Sequence, residues 1–276
     1  MIFVFKAWES FCKKLKEEHL ISIPACEVTG ELGTYLVLKH DVETKVSHAH
    51  TIARIEHKYG HRGSYYVQAY LLEDAENVRL LQQMQEMGHE ISYHYDVMDS
   101  NKGNLQAALC EFEENRKRFE SNGFPVITAC QHGNPVVERI GYHSNRDFFR
   151  SDLVREKYPG IADIMVNFKT HVPTQYGYFS DAGRRFKKIY DPINNDIVKS
   201  DDQDIVLANL SEVFAALDKA GGNIVSIHPH RWTESALQYC VKSAVFKTAK
   251  TVAKCLMVIP PVKKLMSRYY YLAKKL

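Results

Sequence analysis

The sequence predicts an α/β fold of parallel strands joined by crossover helices. Two observations carry that prediction. An amphipathic helical stretch, a glycine and then an apolar, β-rich run recur along the chain, which is the alternation that βα units produce. Each of the clearer strands also stops on a histidine or an acidic residue. Composition permits such a fold, because 276 residues, 45% hydrophobic and 25% charged, supply an ordinary globular core. The length suits one α/β unit of about 200 to 250 residues followed by a tail. We place the boundary so that residues 1–234 form the α/β domain and 235–276 the tail.

A helix over residues 5–19 opens the domain, and Thr34 to Leu38 reads as the first strand. Val46 to Tyr59 puts apolar residues at 46, 49, 52, 53 and 59 on one helical face, and Gly60 supplies a left-handed closing residue. Ser64 to Ala69 follows as a β-rich run. Val78, Leu81, Met84 and Met87 repeat the helical spacing as far as Gly88, after which Ile91 to Tyr95 reads as a strand. Leu105, Leu109, Phe112, Arg116 and Phe119 share a stripe closed by Gly123, ahead of the extended run Pro125 to Cys130. Loops dominate residues 133–204, with short strands expected at Ala162 to Val166 and Tyr176 to Phe179. Val206, Leu210, Val213, Phe214 and Leu217 read as one more amphipathic helix, closed by Gly221 and Gly222, and Asn223 to His228 as the last strand. With no repeat and no low-complexity linker, these units share one core.

Charge divides the chain. The net charge is +3, yet no acidic residue follows Glu234, where nine lysines and arginines remain, so the first 234 residues hold 27 basic against 33 acidic groups. That balance argues against nucleic acid as a partner of the main body. The longest apolar runs fall short of the roughly 18 residues of a membrane span, and the start lacks the pattern of a signal peptide. Six cysteines without a CxxC pair suit reduced, mostly buried thiols and a cytoplasmic protein.

The strand ends carry the chemistry. The strands stop at His40-Asp41, at His94, at Gln131-His132 and at His228. In a parallel α/β barrel the carboxyl ends of all strands open on one face, so residues far apart in sequence meet there. A carboxylate and several imidazoles suit zinc or a similar divalent ion (cobalt, nickel, manganese or iron), with three protein ligands leaving a position for water. Pro229 biases His228 towards extended backbone and so holds it at the strand end. The histidines at 48, 50, 57 and 61 lie on or beside a helix and read as surface or packing residues.

His40-Asp41-Val42-Glu43, Gly60 to Val67 (GHRGSYYV), Gly88 to Asp96 (GHEISYHYD), His132-Gly-Asn-Pro135 and Ile227 to Trp232 (IHPHRW) resemble the NodB-like polysaccharide deacetylases of carbohydrate esterase family 4 type, in a bacterial branch that opens on HDV(D/E). Asn145-Arg-Asp147 and Ser180 to Phe186 (SDAGRRF) look like further motifs of that branch, and the resemblance runs in order over about residues 30–234. It implies a distorted (β/α) barrel that removes N-acetyl groups from sugars with a metal held by one Asp and two His. Asp41 inherits the metal role and His40 the place of the family's catalytic base. Where the family has a second histidine four residues after the first, this chain has Met98, so His132 is the substitute ligand, with Asp96 or Glu43 behind it. His228 matches the family's general acid.

The expected activity is therefore metal-dependent hydrolysis of an N-acyl sugar in bacterial surface-polysaccharide or glycolipid synthesis. Metal ligands are Asp41, His94 and His132; catalytic residues are His40 and His228; and the substrate is a carbohydrate or a lipid-linked sugar. Trp232 could stack on a sugar ring, Arg184 and Arg231 could bind an acidic group, and Asn134 could hydrogen-bond substrate. The alternative is a catalytically degenerate barrel that binds carbohydrate or regulates.

In the tail, at about 100° per residue, Leu237, Val241, Val245, Val252 and Leu256 fall on one side and Lys242, Lys247, Lys250 and Lys254 gather on the other, as far as Pro260-Pro261. A second amphipathic stretch spans Val262 to Leu276. Either the tail packs on the barrel, or it lies as a basic amphipathic anchor on an anionic membrane surface at the inner face of the membrane.

Overall fold

The computed structural model describes residues 3–257 apart from 31, 135–136, 169–175 and 199–202. Within them one sheet contains β1 (Tyr35–Val42), β2 (Ser64–Val67), β3 (Glu90–Tyr95), β4 (Thr128–Gln131), β5 (Ala162–Asp163), β6 (Tyr176–Ser180), β7 (Phe186–Ile189), β8 (Ile205–Leu207) and β9 (Gly222–Ile227). Their order is β5-β4-β3-β2-β1-β9-β6-β7-β8. The seven strands from β5 to β6 run parallel, and β7 and β8 extend the sheet antiparallel. The helices are α1 (Phe5–Glu17), α2 (Val46–Lys58), α3 (Ala75–Glu86), α4 (Val97–Ser100), α5 (Leu105–Ser121), α6 (Asp147–Arg150), α7 (Asp152–Lys157), α8 (Leu210–Ala215) and α9 (Ala236–Met257).

Side-chain alternation gives the sheet two faces of different character. From β1, Leu36, Leu38 and Val42 join the large core that also holds residues of α1, α2, α3 and α5; from neighbouring strands, Tyr65, Tyr93, Tyr95, Val225 and Ile227 join the same core. On the opposite face Val37, Tyr66, Cys130, Ile164, Tyr178 and Ile224 form one smaller cluster, although they come from both halves of the sheet. The sheet therefore curls around this inner cluster. Tyr66 Oη on β2 reaches Thr128 Oγ1 on β4 at 2.7 Å, across β3. The two outermost strands, β5 and β8, are not paired with each other among the described residues, so the expected barrel is a curled sheet without a closed ladder.

The glycine reading holds at Gly60, Gly88 and Gly123, whose φ values of 81°, 88° and 86° close α2, α3 and α5 in the left-handed region that only glycine adopts cheaply. Two strand and helix assignments are corrected. Val206 belongs to edge strand β8, and the helix begins only at Leu210, where the Asn209 side chain accepts from Glu212 N and caps it. The strand at Ala162 is two residues long because Asp163 turns back, its Oδ1 accepting from Met165 N at 2.7 Å. Cys12 and Cys130 are buried as expected, but Cys110 and Cys240 are exposed. The amphipathic stretch from Val262 to Leu276 lies outside the described residues. No described helix is long and apolar enough to cross a membrane.

A buried carboxylate ties the helical layer to β1. Glu56 on α2 accepts from Trp8 Nε1 of α1 at 3.0 Å and from Tyr65 Oη of β2 at 2.8 Å, with no solvent exposure. Burial opposes its ionisation, yet His40, His89 and the Tyr65 hydrogen bond together hold its pKa below the usual value. Glu56→Ala would leave the indole and phenol donors buried without an acceptor, at about 1 to 3 kcal/mol each. We expect a loss of about 3 to 5 kcal/mol, read from urea midpoints at constant slope. A loss below about 1 kcal/mol would mean that the network contributes little to stability.

Candidate metal centre

The register sets the site. His40 of β1 pairs with Ile227 of β9, which puts Asp41 beside His228, and His94 of β3 pairs with Cys130 of β4. Asp41, His94, His132 and His228 thus meet at the carboxyl end of the sheet, as the strand ends predicted. Asp41 and His94 face inwards because they share the parity of Val37 and Ser92, and Glu43, two residues past Asp41, opens on the same mouth. His40, one residue off, cannot do the same.

His94 is nearly fully buried, and its Nδ1 donates to the Cys130 carbonyl at 3.0 Å, so the lone pair lies on Nε2. That atom is 3.2 Å from His132 Nδ1. His132 is held from two sides, since its backbone N donates to Tyr95 O at 2.7 Å and its carbonyl accepts from Asn145 Nδ2 at 2.9 Å. Asn145, fully buried, uses its Oδ1 to accept from Met98 N and Asp99 N at the start of α4. Glu43 Oε1 stands 3.4 Å from His132 Nδ1 and 3.7 Å from His228 Nε2. Ligand atoms of Glu43, His94 and His132 lie within 4.8 Å of one another, and those of Asp41, His94 and Cys130 form a second such group.

These groups suit a cation. Two imidazole nitrogens 3.2 Å apart need a shared proton or a shared metal between them, and His132 Nε2 is buried with no hydrogen-bond partner. Burial, more than any neighbouring charge, lowers the His94 pKa to about 3, leaving it neutral and ready to donate a lone pair. Against its own desolvation, Glu43 is kept ionised by a hydrogen bond from His132 and by His228 and His230.

Asp41 is differently placed. Its Oδ1 accepts from Lys39 Nζ at 2.5 Å, an ion pair inside the curled sheet that also reaches Ser226 Oγ at 3.3 Å. Burial works against its charge, but Lys39, then His94 and His228, hold its pKa well below the carboxylate range. Its Oδ2 is 3.8 Å from His228 Nε2.

His228 is oriented by a residue that the strand-end reading passed over. Asp181, fully buried just after β6, accepts from His228 Nδ1 at 2.5 Å and from His228 N at 3.1 Å, so Nε2 is the atom turned to the mouth. Arg231 Nη1 braces the same carboxylate at 3.1 Å and the Asp181 carbonyl at 2.8 Å. The signal was present in the sequence, since Ser180-Asp181 ends a strand in the same way that His40-Asp41 does. His230 adds a further imidazole, its Nδ1 4.0 Å from Glu43 Oε2 and its pKa pushed down to about 4, chiefly by burial.

Two expected site residues, His40 and Trp232, are elsewhere. His40 lies on the helical face of β1, fully buried, its Nε2 2.9 Å from Glu56 Oε1 and its ring stacked on Tyr65 at 4.2 Å, so it cannot serve as a base at the mouth. Trp232 is also fully buried, packed on Trp8 and Phe3, and cannot stack on a sugar. Arg231 is engaged with Asp181. Asn134 is buried with its carbonyl accepting from Arg139 at 3.0 Å, and Arg184, half-buried, takes a left-handed φ of 61° beyond β6.

No family model and no curated protein matches the sequence. Among solved structures, the chain is similar to the catalytic domain of peptidoglycan N-acetylglucosamine deacetylase from Eubacterium rectale ATCC 33656, with 12% identity and a TM-score of 0.43 over 81% of this chain and 87% of that one. It is also similar to a mutant of a CE4 family pseudoenzyme with restored enzymatic activity, with 11% identity and a TM-score of 0.41 over 85% of this chain and 69% of that one.

Proposed function

We propose that the protein is a metal-dependent hydrolase that removes an N-acetyl or related N-acyl group from a sugar, in the making of bacterial surface polysaccharide or glycolipid. The observation that carries the reading is the meeting of His94, His132 and Glu43 at one mouth, with His228 fixed across from them by Asp181. The sugar substrate rests on the motif resemblance between residues 30 and 234.

His94, His132 and one carboxylate would hold the ion. Glu43 fits that place better than Asp41, because imidazoles surround it, whereas Asp41 is already paired with an ammonium whose charge opposes a cation. A divalent ion held there supplies Lewis acidity towards an amide carbonyl and acidifies a water. Asp41, held ionised by Lys39 on Oδ1, would then offer Oδ2 at the mouth, 3.8 Å from His228 Nε2, as the acceptor that orients a water. His228 Nε2 gives a proton to the leaving amine, and Asp181 keeps Nδ1 protonated so that Nε2 does that work.

The function is tested by amine release from N-acetylhexosamine oligomers with and without chelator. Bound metal with no release from any sugar class would favour the non-catalytic barrel. The ligand assignment has its own test. Glu43→Gln should cut metal content in elemental analysis, while Asp41→Asn should keep the metal and lose about 10²-fold or more in turnover. Metal loss in Asp41→Asn with retention in Glu43→Gln would return the ligand role to Asp41.

A further inference from the structure

Helix α9 presents its apolar side to solvent. Tyr239 anchors it, its ring 5.7 Å from that of Phe3 and packed on the main core. Ser243, one turn on, has its hydroxyl oxygen buried. At about 100° per residue, these two share one side of the helix. Leu237, Val241 and Val245 share the other and are exposed by 75%, 56% and 64%. A surface helix normally turns such a stripe towards the core. Here the stripe points away, and Val252 and Leu256 prolong it in the sequence.

Contiguous apolar side chains left in water mark an interaction surface, and charge indicates the occupant. Nine cations and no acidic group follow Glu234. Exposed Lys242 flanks the stripe, and its charged neighbours are Lys45 and Arg184, whose repulsion adds to burial in lowering its pKa. Lys45 follows Glu43 and Arg184 follows Asp181, so this basic rim joins the helix to the mouth. A second copy of the helix would bring cations against cations with no acidic partner, whereas an anionic lipid headgroup layer complements them.

We propose that the outward face of α9, with the rim of Lys45, Arg184 and Lys242, docks the domain on an anionic lipid surface. Docking stands apart from the hydrolytic reading and requires no metal. The test uses the full chain and co-sedimentation with vesicles of phosphatidylcholine alone or mixed with phosphatidylglycerol. Binding is expected to the mixed vesicles only, and to weaken as salt rises. Changing Leu237, Val241 and Val245 together to Gln should weaken it by about a hundredfold or more without altering circular dichroism, because all three are exposed in the fold. Lys242→Glu should weaken it by at least about fivefold. Three results would overturn the proposal: indifference of the native chain to anionic vesicles, unchanged binding of the triple variant, or a solution dimer that the triple variant dissolves. The last would give the face to a second copy.

Discussion

The native protein should purify with about one divalent metal per chain and His94→Asn without it, and the variant should lose about 10³-fold or more of any amine-releasing activity. His94 is the one histidine shared by both candidate ligand groups, with Glu43 and His132 on one side and with Asp41 and Cys130 on the other. Its removal therefore empties the site whichever carboxylate binds. Nδ1 is committed to the Cys130 carbonyl, so Nε2 alone faces the mouth and no rotation of the ring can exchange the two roles without losing a buried hydrogen bond. Because the ring is buried, the variant also has to be checked for folding by thermal midpoint. His132→Ala supplies the second measurement, since it removes the partner 3.2 Å away from a less enclosed position. Full metal content in both folded variants would sink the proposed centre.

Most of the fold and part of the site were legible in the sequence, and the errors have physical causes. Helix ends marked by Gly60, Gly88 and Gly123 were readable because a left-handed φ demands a residue without Cβ. The convergence of Asp41, His94, His132 and His228 was readable because parallel strands share a carboxyl end. The assignment of His40 failed on a rule available from the start. Adjacent residues in a strand face opposite sides, so of His40 and Asp41 only one could open on the mouth, and Glu43 rather than His40 shares the side of Asp41. The motif resemblance, which gave His40 the base's place beside Asp41, obscured that constraint.

Other contacts were not legible at all. Nothing in the local sequence says that Glu56, on a helix, will accept from Trp8 and Tyr65, 48 and 9 residues away. Trp232 looked like a stacking platform from its neighbours in the chain, but the aromatic cluster of Phe3, Trp8 and Trp232 forms only when α1 folds across the sheet. The tail stripe was legible as amphipathic, yet its direction was not. Periodicity gives the two sides of a helix and leaves open which one meets the body, and here the body takes the side of Tyr239.

His228→Ala should lower turnover by about 10² to 10⁴-fold, the range of general acid catalysis, while leaving metal content close to native and the chain folded at a lowered thermal midpoint, since Asp181 keeps Arg231 as its partner. Asp181→Asn should cost nearly as much, for a different reason. The Asp181 carboxylate fixes both the Nδ1 proton and the backbone N of His228, at 2.5 and 3.1 Å, and an amide in its place can offer its own N–H to Nδ1 and so turn the ring to the wrong tautomer. Asp181 is itself held ionised, against burial, by His228 and Arg231, so protonating it and replacing it with Asn should act alike. A positioning role makes the two substitutions non-additive. If Asp181 acts through His228, the double variant should be no slower than His228→Ala alone. Independent, multiplying losses would show that Asp181 contributes by another route, and a double variant that failed to fold would be replaced by Asp181→Glu, which restores the charge at an altered reach and should recover part of the turnover. Native turnover in a metal-loaded His228→Ala would remove His228 from the reaction.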